Sequence, residues 1–453
     1  MSERVDLVVI GMGPGGEELA TICAKAGLSV VGIDRRLLGG ECPYFGCIPT
    51  KMMVRAAAAL GEGRRIPRLA GSATITSDWT PVARRIRDEA THNWDDTTAV
   101  QRFEGTGGRF VRGTGRITAP GRVAVDGLEF EASRGVVVNT GTEPAVPPIT
   151  GLDGTPYWTN REAVKTETAP DSLVVIGGGA IGVELAQVFA RFGSRVTVLE
   201  GMDRLIAVEE PEAGDVLGGV FRDEGISVLT GARVVSVAYD GNVFTVALQD
   251  GRTATGERLL VATGRRANTR GIGLETVGLD PEARTIPVDT RMRAGERLWA
   301  IGDCTGHGAF THVSTYQARI AGNDILGRPG SPASYHALPR VTFTDPEVGA
   351  AGLTEKQARD QGIDVRVATA PMSASTRGWI HGPGNEGILK LVADAATGTL
   401  VGATAMGPAG GEVLGFLALA VHARVQVSVM RDMIYAYPTL HRGIEPLLAA
   451  LDL

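Results

Sequence analysis

Val5-Asp-Leu-Val-Val-Ile10 runs straight into Gly11-Met-Gly13-Pro-Gly-Gly16. A short, unbroken apolar run of this kind reads as a buried parallel strand. Glu17 to Ala26 then carries helical spacing, and Leu28 to Ile33 reads as a second strand that ends at an acid, Asp34. Strand, G-x-G-x-x-G, helix, strand and terminal acid together make the dinucleotide-binding βαβ pattern. Each glycine answers a physical demand: the tight turn at Gly11, the approach of backbone to a pyrophosphate at Gly13, and the helix–strand contact at Gly16. The helix N-terminus faces the phosphates, and Asp34 is expected to bind a ribose hydroxyl. Arg35 and Arg36 read as a solvated turn.

The same unit returns about 166 residues further on. Ser172-Leu-Val-Val-Ile176 leads into Gly177-Gly-Gly179-Ala-Ile-Gly182, a helix is expected over Val183 to Phe192, and Arg195-Val-Thr-Val-Leu-Glu200 reads as a strand ending in a carboxylate. Two such units imply two nucleotides, most economically a flavin and a nicotinamide donor. Glu200 would bond a ribose 2′-hydroxyl and repel a 2′-phosphate. The nearest arginine, Arg204, is not adjacent, so NADH is favoured over NADPH.

Between the units lies Gly39-Gly-Glu-Cys42-Pro-Tyr-Phe-Gly-Cys47-Ile-Pro-Thr-Lys51. A thiolate is the nucleophile of sulfur chemistry, and two thiols within loop-closing reach can cycle between dithiol and disulfide. Met52 to Leu60 is rich in Ala and Met with no breaker. The pair is therefore expected at a helix start, where the dipole favours a thiolate. Cys23 and Cys304 lack a thiol partner in the sequence and read as buried small apolar residues.

Composition bounds the rest. A chain of 453 residues is too long for one core, and 43% apolar with 21% charged residues describes an ordinary globular protein. The net charge of −6 comes with no basic block, which argues against nucleic acid or an anionic membrane as partner. Neither a secretory leader nor an apolar run of about 18 residues is visible. Four cysteines in this length do not make a disulfide scaffold, so a reducing cytoplasm is the expected home and a disulfide there would be catalytic. No metal-ligand set stands out.

GGxCxxxxCxPxK behind a nucleotide fingerprint resembles the redox-active disulfide of the class I pyridine nucleotide–disulfide oxidoreductases. That family includes lipoamide dehydrogenase, the glutathione and mycothione reductases and mercuric reductase. The resemblance runs from about residue 5 to about residue 448. It implies that Cys47 contacts the flavin of FAD, that Cys42 exchanges with substrate, and that Lys51 sits near the flavin's reactive edge, paired with Glu184 of the GGGxIGxE segment. Gly135 to Pro148, with Gly141 in its Thr-Gly, is similar to the family's ATG-type segment where the chain leaves the first nucleotide domain. Leu259 to Asn268, containing Gly264, is similar to the second. Leu298-Trp-Ala-Ile-Gly302-Asp303 matches the stretch whose aspartate binds the flavin's ribityl hydroxyls. His312 falls near the flavin but reads as a helix-start or core histidine. Pro339 to Gly349 looks like the opening of the family's interface domain, which implies a homodimer.

The chain departs from the family near residue 440. The pattern His-Pro-Thr-x-x-Glu, which supplies an acid–base pair across the dimer, is here Tyr437-Pro438-Thr439-Leu440-His441-Arg442. Proton transfer at neutral pH wants a group with pKa near ~7, and a tyrosine near ~10 is a neutral hydrogen-bond donor instead. Lipoamide dehydrogenase and glutathione-type activities are both weakened as expectations. His441 and Glu445, four apart on an expected helix, share a face and form either a displaced pair or a solvated one. Mercuric reductases carry tyrosine at the histidine position. However, the chain ends Ala-Ala-Leu-Asp-Leu without their C-terminal cysteine pair and shows no N-terminal metal-binding domain, so mercuric reduction by the usual route is not expected.

The resulting expectation is an α/β chain of two Rossmann-like domains, the second inserted in the first, followed by an α+β dimerisation domain. The boundaries are 1–149 with 270–330 for FAD, 150–269 for NAD(P), and 331–453 for the interface. The function expected is an FAD-dependent, NAD(P)H-linked oxidoreductase acting on a small-molecule thiol or disulfide through Cys42 and Cys47. Two alternatives stand beside it. One is a quinone, diaphorase-type or metal-ion reductase working from the flavin, whose activity would survive Cys42→Ser. The other is a redox-sensing flavoprotein without turnover.

Overall fold

The computed structural model describes residues 2–453. Strand Glu3–Ile10 is followed by helix Pro14–Lys25 and strand Val30–Asp34, so the first βαβ unit forms where the glycines and the apolar run place it. Glu3–Ile10 pairs in parallel with Val30–Asp34 on one side and with Leu128–Val138 on the other. Arg109–Arg112 and Leu298–Ala300 extend the parallel sheet at its two ends. Both faces of this sheet are buried: Leu7, Val9 and Val137 pack on one side, Val8, Ile10 and Val138 on the other. This two-sided burial is why the strands read as continuous apolar runs and not as alternating ones.

The repeat forms a second, four-stranded parallel sheet in the order Ser227–Leu229, Arg195–Leu199, Ser172–Ile176, Arg258–Val261. Helix Ala180–Arg191 follows its central strand. A third sheet is antiparallel throughout, in the order Pro339–Thr342, Glu347–Gly352, Thr399–Gly407, Ile388–Asp394, Val365–Pro371. Helix Gly410–His422 covers it through Val413, Leu414, Leu417 and Val421. The chain thus has an α/β fold with two Rossmann-like FAD/NAD-binding domains and a C-terminal α+β domain.

By compactness the chain divides into two units. One ends at Thr50 and includes Arg84–Ala145 and Arg265–Ser334; the other takes Lys51–Ala83, Val146–Gly264 and Tyr335–Leu453. Among the described residues no helix is long and apolar enough to cross a membrane.

Three local readings shift. The helix expected from Met52 begins at Cys47 and runs to Arg65, because Pro49 falls within its first turn, where a missing N–H does no harm. Residues 61–98, mixed and charged in sequence and so expected to be helical, hold the end of that helix, a short turn at Ile66–Arg68, the segments Thr80–Arg85 and Ile86–Ala90, and the start of helix Thr97–Glu104. His441 lies in a single 3-10 turn, His441–Ile444, and Glu445 opens the next helix, Glu445–Ala450.

Candidate active site

In the first unit the fingerprint is closed by hydrogen bonds from both flanks. Asp34 Oδ2 accepts the Met12 N–H (2.8 Å) and Oδ1 the Arg36 N–H (2.8 Å). Burial pushes this carboxyl above its ordinary value, against the two N–H donors and the nearby Arg112 and Arg35. Asn139 Nδ2 donates to the Gly11 carbonyl (3.1 Å). A Cβ on Gly11 would overlap the Asn139 carbonyl, and one on Gly16 the Gly11 carbonyl, while Gly141 faces open space. The cradle at Gly13 is likewise open, with no atom closer than Asn139 Nδ2 at 3.5 Å from a built Cβ.

Gly302, at φ +78°, turns the chain after strand Leu298–Ala300, and its N–H donates to the fully buried Gln317 (2.6 Å). Asp303 follows and accepts from Thr142 Oγ1 (2.8 Å), which itself accepts from Arg265 Nε (2.7 Å). Burial again raises the carboxyl, opposed by the Thr142 hydroxyl and the Arg265 charge. A half-buried aspartate that accepts one hydroxyl hydrogen bond among the described residues, together with an open glycine cradle at a helix N-terminus, fits a polyhydroxylated diphosphate such as FAD.

The same unit holds the thiols. Cys42 is half-buried, Cys47 is exposed, and both are free. Cys47 starts its helix, at the positive end of the dipole. Its sulfur lies 3.6 Å from the Thr311 hydroxyl, which opens helix Thr311–Ile325. The Cys42 thiol is held far above the ordinary thiol range, first by its hydrogen bond to Cys47, then by burial and by the charge of Cys47. Cys23 and Cys304 are fully buried, and burial pushes each thiol to about 12, the value of an inert packing group. His312 is exposed at the helix start, stacked on Phe310 (5.1 Å).

In the second unit the repeat is reproduced bond for bond. Glu200 Oε2 accepts the Gly178 N–H (2.5 Å) and Oε1 the Met202 N–H (2.6 Å), as Asp34 does with Met12 and Arg36. A Cβ on Gly177 would overlap the Ala262 carbonyl and one on Gly182 the Gly177 carbonyl; Gly179 and Gly264 face open space. Arg204 is occupied by Asp203 (3.1 Å) and the Ala207 carbonyl (3.0 Å).

Lys51 Nζ lies 2.6 Å from Glu184 Oε2. Glu184 is 5% exposed, and its other oxygen accepts the Phe343 N–H (2.8 Å). Phe343 and Gln187, which complete this arrangement, escaped sequence reasoning. Phe343 stands inside Pro339 to Gly349, but nothing local marks its long-range contact.

At the C-terminal motif Glu445 pairs with Arg442 (2.9 Å), and His441 Nε2 lies 3.4 Å from Thr439 Oγ1. Within this chain the 3-10 turn thus brings Arg442 to the Glu445 carboxylate. Tyr437 is 65% exposed beneath the Arg442 guanidinium (5.1 Å). His441 also lines a cavity of about 490 Å³ with Arg377, Phe416 and Met433.

Comparison with known proteins agrees with this geometry. The family described as pyridine nucleotide-disulphide oxidoreductase matches residues 5–318, and its dimerisation domain matches residues 338–447. A mercuric reductase of Acidithiobacillus ferrooxidans is 33% identical over 98% of this chain and 82% of its own length. A dihydrolipoyl dehydrogenase of Chlorobaculum tepidum is 34% identical over 100% of this chain and 97% of its own. Among solved structures, the Cu(II) complex of the HOCl-induced flavoprotein disulfide reductase RclA from Escherichia coli aligns with a TM-score of 0.85 at 26% identity, covering 99% of each chain. The chain therefore belongs to the class I pyridine nucleotide–disulfide oxidoreductases, flavoenzymes that bind FAD, use NAD(P)H and carry a C-terminal dimerisation domain.

Proposed function

We propose that Cys42 and Cys47 are the redox-active pair of this enzyme and carry electrons between the flavin and a thiol or disulfide substrate. The observation that carries the reading is the thiol pair itself: an exposed Cys47 at a helix N-terminus, hydrogen-bonded to the half-buried Cys42. When bound, FAD supplies the two-electron exchange with nicotinamide on one side and the thiol pair on the other. The proton of Cys42 passes along the hydrogen bond to Cys47, which leaves a thiolate on Cys42. That thiolate attacks a substrate disulfide and releases one thiolate of the substrate. The released thiolate takes the proton from Cys47, and the Cys47 thiolate then attacks the mixed disulfide, releases the second substrate sulfur as a thiolate, and closes the Cys42–Cys47 bond.

With Tyr437 and Arg442 at the positions of the family's acid and base, the substrate would be one whose leaving thiol has a low pKa and needs little proton help. Lys51 and Glu184 form the charge pair at the flavin's reactive edge. Asp34 with Gly11, Gly13, Gly16, Gly141, Gly302 and Asp303 binds FAD; Glu200 with Gly177, Gly179, Gly182 and Gly264 binds the nicotinamide coenzyme. That coenzyme is NADH, because Glu200 would repel a 2′-phosphate and Arg204 is already occupied. The domains would run 1–149 with 270–330 for FAD, 150–269 for NADH and 331–453 for the interface; the two parallel sheets and the five-stranded antiparallel sheet support that division. The enzyme works as a homodimer in the cytoplasm, where a Cys42–Cys47 disulfide would be catalytic.

A second reading is supported by the relatives, which include mercuric reductases and a copper complex of a disulfide reductase. A soft metal ion held between the two thiolates, with Tyr437 in place of an acid, would be the substrate reduced. Anaerobic titration with NADH and then dithionite tests both readings. Uptake of four electrons per flavin, with a long-wavelength thiolate-to-flavin band at the two-electron stage, supports a working pair. Uptake of two electrons without that band removes it and leaves a flavin reductase of the quinone type. Turnover with disulfides against Hg(II) or Cu(II) then separates the two substrates.

A further inference from the structure

Helix Ala180–Arg191 carries three buried polar residues, Glu184, Gln187 and Arg191, each no more than 5% exposed. Their spacing of three and four puts them on one face. Burying three such groups demands partners, and one short segment, Phe343 to Asp345, provides them. The Phe343 N–H donates to Glu184 (2.8 Å). The Asp345 N–H donates to Gln187 Oε1 (2.8 Å), and its carbonyl accepts from Gln187 Nε2 (2.8 Å). Its carboxylate accepts from Arg191 (2.8 Å) and from Arg65 (2.7 Å). The backbone at 343 is thereby anchored again two residues on, at Asp345.

Phe343 meets both members of the flavin-edge pair. Its N–H holds one oxygen of Glu184, and the other oxygen holds Lys51. Its ring lies under the Lys51 ammonium, 4.7 Å from Nζ to the ring centroid, within the range of a cation–π contact. The ring holds Lys51, about a third exposed, by a contact independent of the Glu184 ion pair. We infer that Phe343 is a positioning residue for Lys51, through which the C-terminal domain sets the charge presented to the flavin. The inference rests on the assignment of Lys51 and Glu184 to the flavin edge.

The test is the midpoint potential of the bound flavin in the holoenzyme. A cation near the flavin stabilises its reduced, anionic form, so Lys51→Met should lower the potential. Phe343→Leu keeps the backbone N–H and most of the volume but removes the ring. It should shift the ratio of reduced to oxidised flavin at fixed potential about threefold in the same direction, about 14 mV for a two-electron couple in which tenfold is about 30 mV. Phe343→Tyr should restore it. Should Phe343→Leu lose FAD, stepwise fluorination of the ring at 343 keeps its shape while weakening its negative face, and the potential should fall with each fluorine. A flat response to ring removal or to fluorination, with Lys51→Met still shifting the potential, overturns the inference and leaves the flavin-edge assignment standing. No shift in Lys51→Met overturns that assignment, and the inference with it.

Discussion

Asp303 is a half-buried carboxylate that accepts from the Thr142 hydroxyl, and desolvation holds its pKa above the ordinary 3.8. A carboxyl raised on folding favours the folded state only in its protonated form. Its contribution is present below 3.8 and lost as pH rises through the raised value, so at neutral pH the bare aspartate opposes folding. Asp303→Asn should therefore make the apoprotein more stable than the parent at pH 7, with the gap narrowing as pH falls toward 3.8. The same change should weaken FAD binding about 10- to 100-fold, since a hydrogen bond to a charged acceptor is worth roughly 1.5–3 kcal/mol. Thermal melts of apoprotein across pH and flavin reconstitution titrations check the two halves. Apoprotein that loses stability on this change would contradict the first. Single residues of this kind were readable when a motif framed them: the glycines, Asp34, Glu200 and the thiols all stand where a turn or strand end requires them. Phe343 was not readable, because its role depends on a lysine 292 positions earlier in the chain.

At the level of elements, the face of helix Ala180–Arg191 that carries Glu184, Gln187 and Arg191 is the polar seam of the second unit. Arg191 is 4% exposed and bonds Glu224 (2.5 Å) as well as Asp345. Its truncation leaves carboxylates in a poorly solvated place, and breaking a buried pair from one side costs about 3–5 kcal/mol. Because Asp345 keeps Arg65 (2.7 Å), Arg191→Met should fall at the lower end, about 3 kcal/mol, read as a drop in the urea midpoint of the holoenzyme. A change under about 1 kcal/mol would mean that the seam is solvated. Element types were legible because apolar runs and helical spacing are local signals. Element starts were less so: the helix expected at Met52 begins at Cys47, since proline is tolerated in a first turn. The helix expected to carry both His441 and Glu445 starts only at Glu445, and the 3-10 turn before it does not keep the spacing of an α-helix.

At the scale of the whole molecule, the domain that matches the family's dimerisation model exposes large apolar side chains between residues 419 and 437: Leu419, Val429, Met433, Ile434 and Tyr437. Ile434 is 96% exposed, an unfavourable placement for a lone chain in water. Ile434→Glu should shift the enzyme from dimer toward monomer, measured by light scattering after size exclusion, with NADH binding retained on the nucleotide domain. An unchanged mass would remove Ile434 from the interface.

The bonds joining residues 343–345 to Glu184, Gln187 and Arg191 also bear on how this enzyme can be engineered. Grafting a relative's coenzyme-binding segment over 150–269, to alter coenzyme preference, would import a helix face made for another loop. A working chimera must carry its own 343–345 segment with it, so the graft is a two-piece exchange across nearly 200 residues of sequence. Recombination between natural relatives meets the same constraint: crossovers that separate the two pieces strand buried charge, and those that keep them together pass.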